Sequence, residues 1–283
     1  MKYLATALIA FGLLTACSSE DDLTPSNADI NGFAPAEDDN SLTAQIRNNF
    51  YEATGAYLLF TDTLTSQGSN GKPELLDISY SLVGSSSVYS EDYKYSYITD
   101  PTEQQKAADL VKNYLVPRLG KAVPNAFFLV NDISYPYGSR TRHTSYLLGT
   151  RAYALSMDDG AAYEQPDSFA IQLLKDIILD RIDRLGDDEK AEFLAFSEDY
   201  YYNDLEVDSL TDQEIWDLGM FYYVEDEYFG SYYYGESTDW KLWVEAVLEY
   251  TPEAFEQKYG SSAVMLSKFN IIRNLILDMG FTI

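Results

Sequence analysis

The histidine and cysteine content limits the chemistry available to this chain of 283 residues, because it has one residue of each type, His143 and Cys17. A zinc site built on two histidines or on several cysteines needs more of these ligands than the sequence contains, so we predict no metal and no cofactor. Ser-His-Asp catalysis would have to use His143, in the basic stretch 139–144, and no G-x-S-x-G motif accompanies it. We interpret His143 as a solvated loop histidine paired with a carboxylate, and keep catalysis or anion binding as the alternative.

Carboxylates are the most abundant ionisable groups, with 46 Asp and Glu against 19 Lys and Arg and a formal net charge of −27. Such a chain lacks a basic face for nucleic acid or for anionic lipid head groups, so both are excluded as partners. The clusters 187–189 and 225–227 favour solvated faces or helix starts, and neither has the ligand spacing of an EF-hand loop. Because no pair of carboxylates can be singled out, a hydrolase that uses carboxylates without zinc remains an alternative function with no assigned residues.

The amino-terminal segment has the form of a lipoprotein signal. Lys2 precedes an apolar run, 3–14, that is shorter than a membrane-spanning helix and leads into the tetrapeptide Leu-Thr-Ala-Cys at 14–17. Small residues before the cysteine fit the signal peptidase, and the thiol is the nucleophile that takes up diacylglycerol. We predict that residues 1–16 are removed and that Cys17 carries the lipid. The alternative is an ordinary secretory signal with an incidental cysteine.

A polar segment separates the lipid site from the first apolar periodicity. Residues 17–40 are rich in Asp, Glu, Ser, Asn and Pro, which predicts a lipidated flexible tether. The acidic run 18–22 resembles the export signal of surface lipoproteins in Bacteroidota, and the alternative is a solvated linker without targeting value. These features favour a protein that is lipid-anchored in the outer membrane and exposed at the cell surface.

Residues 41–283 are predicted to form one α+β domain, with a small amino-terminal sheet and helices followed by a mainly helical carboxy-terminal half. Capping residues precede apolar helical periods and predict helices that begin at Ser41, Asp100, Asp167, Asp187, Thr211, Thr251 and Ser262. Short apolar or aromatic runs predict strands at 56–60, 125–130, 145–148 and 151–157. The most regular helix is the long one that starts at Asp167.

Aromatic residues are concentrated in the carboxy-terminal half. Consecutive tyrosines cannot all point into one core, so some rings are expected near the surface, where they stack on sugars, capture peptides or form a protein interface. The segment between Tyr222 and Trp243 is a predicted ligand-binding region, and the alternative is a tyrosine-rich loop packed on the domain. Its candidate residues are Tyr222, Tyr223, Tyr228, Tyr232, Tyr233, Tyr234, Trp240 and Trp243.

The order of elements over most of residues 41–283 resembles that of zinc metallohydrolase lipoproteins, which Bacteroidota encode beside SusC/SusD-type nutrient importers. The matching pieces are a helix leading into 57–60, the helix before 124–130, the hairpin ahead of the long helix, and 236–240 ahead of the terminal helices. The resemblance implies a zincin-like fold whose long helix carries HExxH, with two zinc ligands and a general base. It also implies an importer as a partner.

The stretch 174–179 of the long helix lies where the resemblance places HExxH. Lys175 replaces the first histidine, Asp176 the glutamate and Leu179 the second histidine, and neither an ammonium nor an alkyl side chain binds zinc. With a single histidine in the chain, we predict a non-catalytic binding or accessory component of a nutrient-uptake system. A free-standing surface lipoprotein that binds glycan or peptide is the alternative.

Overall fold

The computed structural model describes residues 31–65, 72–76, 78, 93–157, 160–203, 210–226 and 230–283. The predicted signal peptide, Cys17 and the predicted tether as far as residue 30 lie outside the described residues.

The described part of the chain is a mixed α+β structure, as predicted, with most of its strands in the first half. The strands are β1 Tyr57–Leu59, β2 Thr63–Thr65, β3 Glu74–Leu75, β4 Lys94–Tyr97, β5 Ala126–Tyr137, β6 Arg140–Thr144, β7 Tyr146–Leu148, β8 Ala152–Ser156, β9 Val224–Asp226 and β10 Gly230–Tyr232. The α-helices are α1 Leu42–Thr54, α2 Pro101–Leu110, α3 Val116–Leu119, α4 Gly160–Glu164, α5 Pro166–Asp183, α6 Asp187–Leu194, α7 Asp212–Asp217, α8 Glu236–Glu249, α9 Pro252–Tyr259 and α10 Ala263–Asp278. A π-helical turn, Val111–Leu115, joins α2 to α3.

The chain divides into two compact units. Of the described residues, 31–32, 63–65 and 72–76 belong to the smaller unit, which contains the antiparallel pair β2 and β3 with Leu64 and Leu76 buried. The larger unit comprises residues 33–62 and 77–283 and contains the main hydrophobic core.

The central sheet of the larger unit has the strand order β1-β5-β8-β7, and β4 and β6 pair with the distal half of β5. Strands β1 and β8 run parallel to β5, whereas β7 runs antiparallel to β8. The residues of β5 from Phe127 to Val130 are fully buried, as expected for a parallel strand covered on both faces. Strand β7 is therefore the outer strand on one side of the described sheet.

Several helix ends follow the predicted capping chemistry. The Ser41 hydroxyl accepts a hydrogen bond from the Ala44 amide at the start of α1, and Gly55 ends that helix in the left-handed conformation, with φ 75°. Thr211 and Glu214 form a reciprocal capping box at α7. The helix predicted to start at Asp167 instead begins at Pro166, because Gln165 occupies the cap position and Asp167 pairs with Arg118 at 2.6 Å.

Two predicted boundaries differ from the structure. Phe33 is buried, and its carbonyl accepts a hydrogen bond from the Arg47 guanidinium at 2.8 Å, so the chain already packs on the larger unit before Ser41. His143 lies in strand β6 and not in a loop, because residues 140–144 pair in register with residues 137–133 of β5.

Candidate ligand-binding cleft

A cleft of about 660 Å³ lies between the outer part of the central sheet and the long helix α5. Strands β5, β6, β7 and β8 contribute one wall, and residues 169–176 of α5 contribute the other. The lining residues are Asp132, His143, Thr144, Ser145, Tyr146, Ser156, Phe169, Gln172, Leu173 and Asp176.

His143 and Asp132 form a hydrogen-bonded pair on the sheet side of the cleft. Antiparallel pairing of β5 with β6 brings the two strands together, and the imidazole Nδ1 lies 2.8 Å from Asp132 Oδ1. The prediction that His143 pairs with a carboxylate is thus confirmed. The side chain of His143 is 63% exposed and that of Asp132 is 29% exposed, so the carboxylate is the more sheltered partner.

Two of the hydroxyl groups on the same wall are hydrogen-bonded to backbone carbonyls. Ser156 Oγ donates to the Asn131 carbonyl at 2.8 Å, and Thr144 Oγ1 donates to the Tyr146 carbonyl at 3.1 Å. Among the described residues, no hydroxyl is hydrogen-bonded to His143, so the geometry of a nucleophile activated by histidine is not assembled. The described residues also hold no group of three or more His, Cys, Asp or Glu side chains arranged to bind a metal.

Helix α5 presents an apolar and a polar strip to the cleft. Phe169 and Leu173 form the apolar strip, and Gln172 donates through Nε2 to both carboxylate oxygens of Asp176 at 3.2 Å. Burial raises the pKa of the Tyr146 phenol, and the carboxylates of Asp176 and Asp180 raise it further. The polar strip on this side of the cleft therefore includes the carboxylate of Asp176.

The predicted motif positions on α5 do not all face the cleft. Lys175 Nζ points toward α8 and forms a 2.8 Å ion pair with Glu245, and Leu179 packs against the hydrophobic core. Asp176 is the one predicted motif position that lines the cleft. The helical repeat explains why Asp176 faces the cleft and Lys175 does not. Residues three and four apart lie on the same face of a helix, so Phe169, Gln172, Leu173 and Asp176 share one face.

Alternate main-chain groups of β7 point away from β8, and among them the Tyr146 carbonyl accepts a hydrogen bond from the Thr144 hydroxyl. The amide of Gly149 donates to the Ala152 carbonyl, and the amide of Ser156 donates to the Ser145 carbonyl. These two hydrogen bonds determine which residues of β7 are bonded to β8. In an antiparallel pair alternate residues face the partner strand, so residues 145, 147 and 149 face β8. The amides of Tyr146 and Leu148 therefore point outward.

The predicted aromatic region is mostly core. Trp240 and Trp243 lie on α8 and are 4% and 0% exposed, and Tyr233 and Tyr234 are 8% and 3% exposed, so these four rings cannot stack on a ligand in this structure. Tyr222 is 43% exposed, while the burial of Tyr223 and Tyr232 is intermediate. Tyr228 lies outside the described residues. The alternative of a tyrosine-rich segment packed on the domain therefore accounts for these four rings.

The most exposed aromatic side chain among the described residues is Tyr202, at 71%. Its backbone has a φ of 58°, unusual for a residue with a bulky side chain. Its ring rests on Gly235, where an added Cβ would lie 1.9 Å from Tyr202 Cζ. The neighbouring Tyr201 points inward, and its hydroxyl donates to Asp239 Oδ2 at 2.7 Å. Consecutive tyrosines thus point to opposite sides, as the sequence suggested.

A buried ion pair joins the helices behind this region. Lys268 Nζ donates to Asp239 Oδ2 at 2.6 Å, to Ser197 Oγ at 2.7 Å and to the Gly219 carbonyl at 3.0 Å, and both charged side chains are fully buried. Burial lowers the pKa of the Lys268 ammonium to about 8 and raises the pKa of the Asp239 carboxyl. The sequence signal for this pair is a lysine on the apolar face of the last helix.

Comparison of the chain with protein-family models, with curated proteins and with solved structures found no match. In the part of the chain that the structure describes, no helix has both the length and the apolar character required to span a bilayer.

Proposed function

We propose that this chain is a non-catalytic, zincin-like lipoprotein of the outer membrane surface, which holds an extended peptide in the cleft between β7 and α5. The observation that carries the proposal is the outer edge of β7 beside the cleft, because the outward-pointing amides of Tyr146 and Leu148 can pair with a peptide that adds as a further strand. The order β1-β5-β8-β7 followed by α5 supports a zincin-like fold, since parallel strands end in an antiparallel outer strand beside the long helix.

The cleft residues do not fit a catalytic zinc ion. Zinc in hydrolases is held by imidazole, thiolate and carboxylate ligands with an open position for water. On the helix side the cleft offers Gln172, Leu173 and Asp176, and on the sheet side His143 is bonded to Asp132. The cleft thus offers one imidazole and one carboxylate on the sheet side and a second carboxylate on the helix side. This arrangement supports a binding role rather than zinc peptidase activity.

The proposed partner is a SusC/SusD-type importer, to which the lipoprotein would deliver or present its ligand. Support comes from the resemblance in element order and from the lipoprotein signal at the amino terminus. Co-purification of an importer with the tagged chain from its native membrane separates this accessory role from that of a free-standing surface binder.

Filling the cleft is expected to abolish peptide binding. The full chain in detergent is screened against an extended-peptide library and a glycan array, and the peptides that bind are measured again with Gln172→Trp. A tryptophan at this exposed position on α5 occupies the volume beside β7, so we expect at least a tenfold loss of affinity.

The matched control is Gln105→Trp. Gln105 is also exposed on a helix and also donates to the Asp four residues later, but it lies outside the lining of the cleft. Equal losses in both variants, or binding of glycans with no binding of peptides, would contradict the proposal.

The Cys17→Ala variant is expected to abolish lipid labelling of the chain. The thiol of Cys17 is the acceptor of diacylglycerol in the predicted signal, and the chain contains no second cysteine that could replace it. Cells supplied with labelled palmitate should incorporate it into the wild-type chain and not into the variant, which should accumulate as uncleaved or unanchored protein. Equal labelling of both would mean that the signal is not a lipoprotein signal.

A further inference from the structure

We infer that the cleft selects a ligand with a cationic side chain, such as a lysine or arginine of a bound peptide. This inference rests on the proposed peptide-binding function and adds the chemical class of the side chain that enters the cleft. Asp132 and Asp176 contribute two carboxylates, on opposite walls, and no lysine or arginine is among the described residues that line the cleft.

Three basic residues that lie near the lining residues in sequence are directed to other partners. Lys175 pairs with Glu245, Arg184 pairs with Asp180, and the Arg142 guanidinium lies over the Tyr137 ring at 3.6 Å. The negative potential of the two lining carboxylates is therefore not cancelled by these cations. The raised pKa of Tyr146, which sits in the same cleft, has the carboxylates of Asp176 and Asp180 among its causes.

Asp176 is the carboxylate that we assign to the ligand cation. Asp132 already accepts from His143, whereas Asp176 accepts from the neutral amide of Gln172. Phe169 and Leu173 line the cleft from the same face of α5. A lysine stem can lie along this apolar strip while its ammonium reaches the carboxylate, the arrangement that long cationic side chains prefer.

The shape of the site strengthens this selection. A concave surface with low-dielectric walls focuses the field of its charges, so a carboxylate inside a cleft attracts a cation more strongly than one on a convex surface. Asp176 is half-buried, and the side chain of Asp132 is 29% exposed. The cleft thus combines a cavity, a main-chain edge and unbalanced negative charge, which together describe a site for a basic peptide.

The test uses three acetylated and amidated alanine-rich peptides that differ at one central position, which is lysine, norleucine or glutamate. Norleucine keeps the apolar stem and lacks the charge. With the full chain in detergent, the lysine peptide is expected to bind about tenfold more tightly than the norleucine peptide, and the glutamate peptide most weakly. Raising the salt concentration should reduce the preference for lysine, because salt screens the attraction between the ammonium and the carboxylates. The affinity for the uncharged norleucine peptide should stay unchanged.

The Asp176→Asn variant is expected to remove most of the preference for lysine, so that the ratio of the lysine and norleucine affinities falls close to one. Asp183→Asn is the control, since Asp183 is an exposed carboxylate on the same helix and lies outside the cleft lining. Asp176→Glu keeps the charge and should retain the preference, which separates charge from folding defects.

Two failures can be told apart. Equal affinities for the lysine and norleucine peptides overturn the charge selection and leave the proposed peptide-binding function standing. Absence of binding for all three peptides, and for the wider library, overturns both.

Discussion

Replacing Lys268 with methionine is expected to lower the free energy of unfolding by about 3–5 kcal/mol at neutral pH. The substitution keeps an unbranched side chain of similar length, but it removes the cation that lies 2.6 Å from Asp239 in a fully buried position. The carboxylate is left without its charge partner, and the Gly219 carbonyl and the Ser197 hydroxyl each lose a donor. An uncompensated buried charge is among the largest single penalties that a substitution can cause.

Two further variants control this experiment. Lys241→Met makes the same chemical change at an exposed position of α8 and should change stability by less than about 0.5 kcal/mol. The double variant Lys268→Met with Asp239→Asn removes both charges and should recover part of the loss, because a neutral amide is less costly to bury than a carboxylate. A single variant that loses less than about 1 kcal/mol, or a double variant that recovers nothing, would contradict the assignment of the loss to an unpaired charge.

The sequence predicted local structure well where one residue determines it. Ser41, Thr211, Thr251 and Ser262 each cap the helix that follows, because the side-chain oxygen satisfies an amide within three residues. Such interactions are local, so a single sequence contains all the information that they need. The buried strand that begins near Asn125 was also identified, since its apolar run is uninterrupted.

Strands that depend on distant pairing were not predicted. Residues 140–144 are polar and mostly exposed, and they form β6 because their backbone pairs with the distal half of β5. Strand β4, at residues 94–97, forms for the same reason on the other side of β5. Residues 140–144 lack the apolar alternation that marks a strand in sequence, so only the three-dimensional partner reveals β6. Around β4, by contrast, Tyr93, Tyr95 and Tyr97 alternate with polar residues, a strand signal that was not used.

The cleft could be only partly predicted for a similar reason. The long helix was predicted, and Asp176 was among its candidate motif positions. Because the motif contains no histidine in this chain, the sequence did not indicate which face of the helix points into the cleft. Lys175 and Leu179 were therefore grouped with Asp176 although they face other neighbours. The pairing of His143 with a carboxylate was expected in general, while its partner Asp132 follows from the β5–β6 register alone.

Trp243→Ala is the second large effect, with an expected loss of about 3–5 kcal/mol in the free energy of unfolding. Trp243 is fully buried, and its ring packs 4.6 Å from that of Phe221 and 5.9 Å from that of Phe255, with the Lys268 ammonium 5.1 Å from its centroid. Truncation to alanine removes these contacts and leaves a cavity that the surrounding helices can fill only in part. The measurement is denaturant unfolding of the full chain, followed by intrinsic fluorescence and circular dichroism.

Tyr222→Ala tests the same aromatic segment at a position where the ring is 43% exposed, so its loss should stay below about 1 kcal/mol. This contrast distinguishes the two interpretations of the segment between Tyr222 and Trp243. If the rings are core, stability falls with burial, steeply for Trp243 and little for Tyr222, and the affinity of folded protein for the lysine peptide remains unchanged in both variants. If the segment binds the ligand, affinity falls while the unfolding midpoint stays constant, and Trp243 must then leave its buried position on binding. Because peptide binding is assigned to the β7–α5 cleft, which contains none of these rings, we expect the first result.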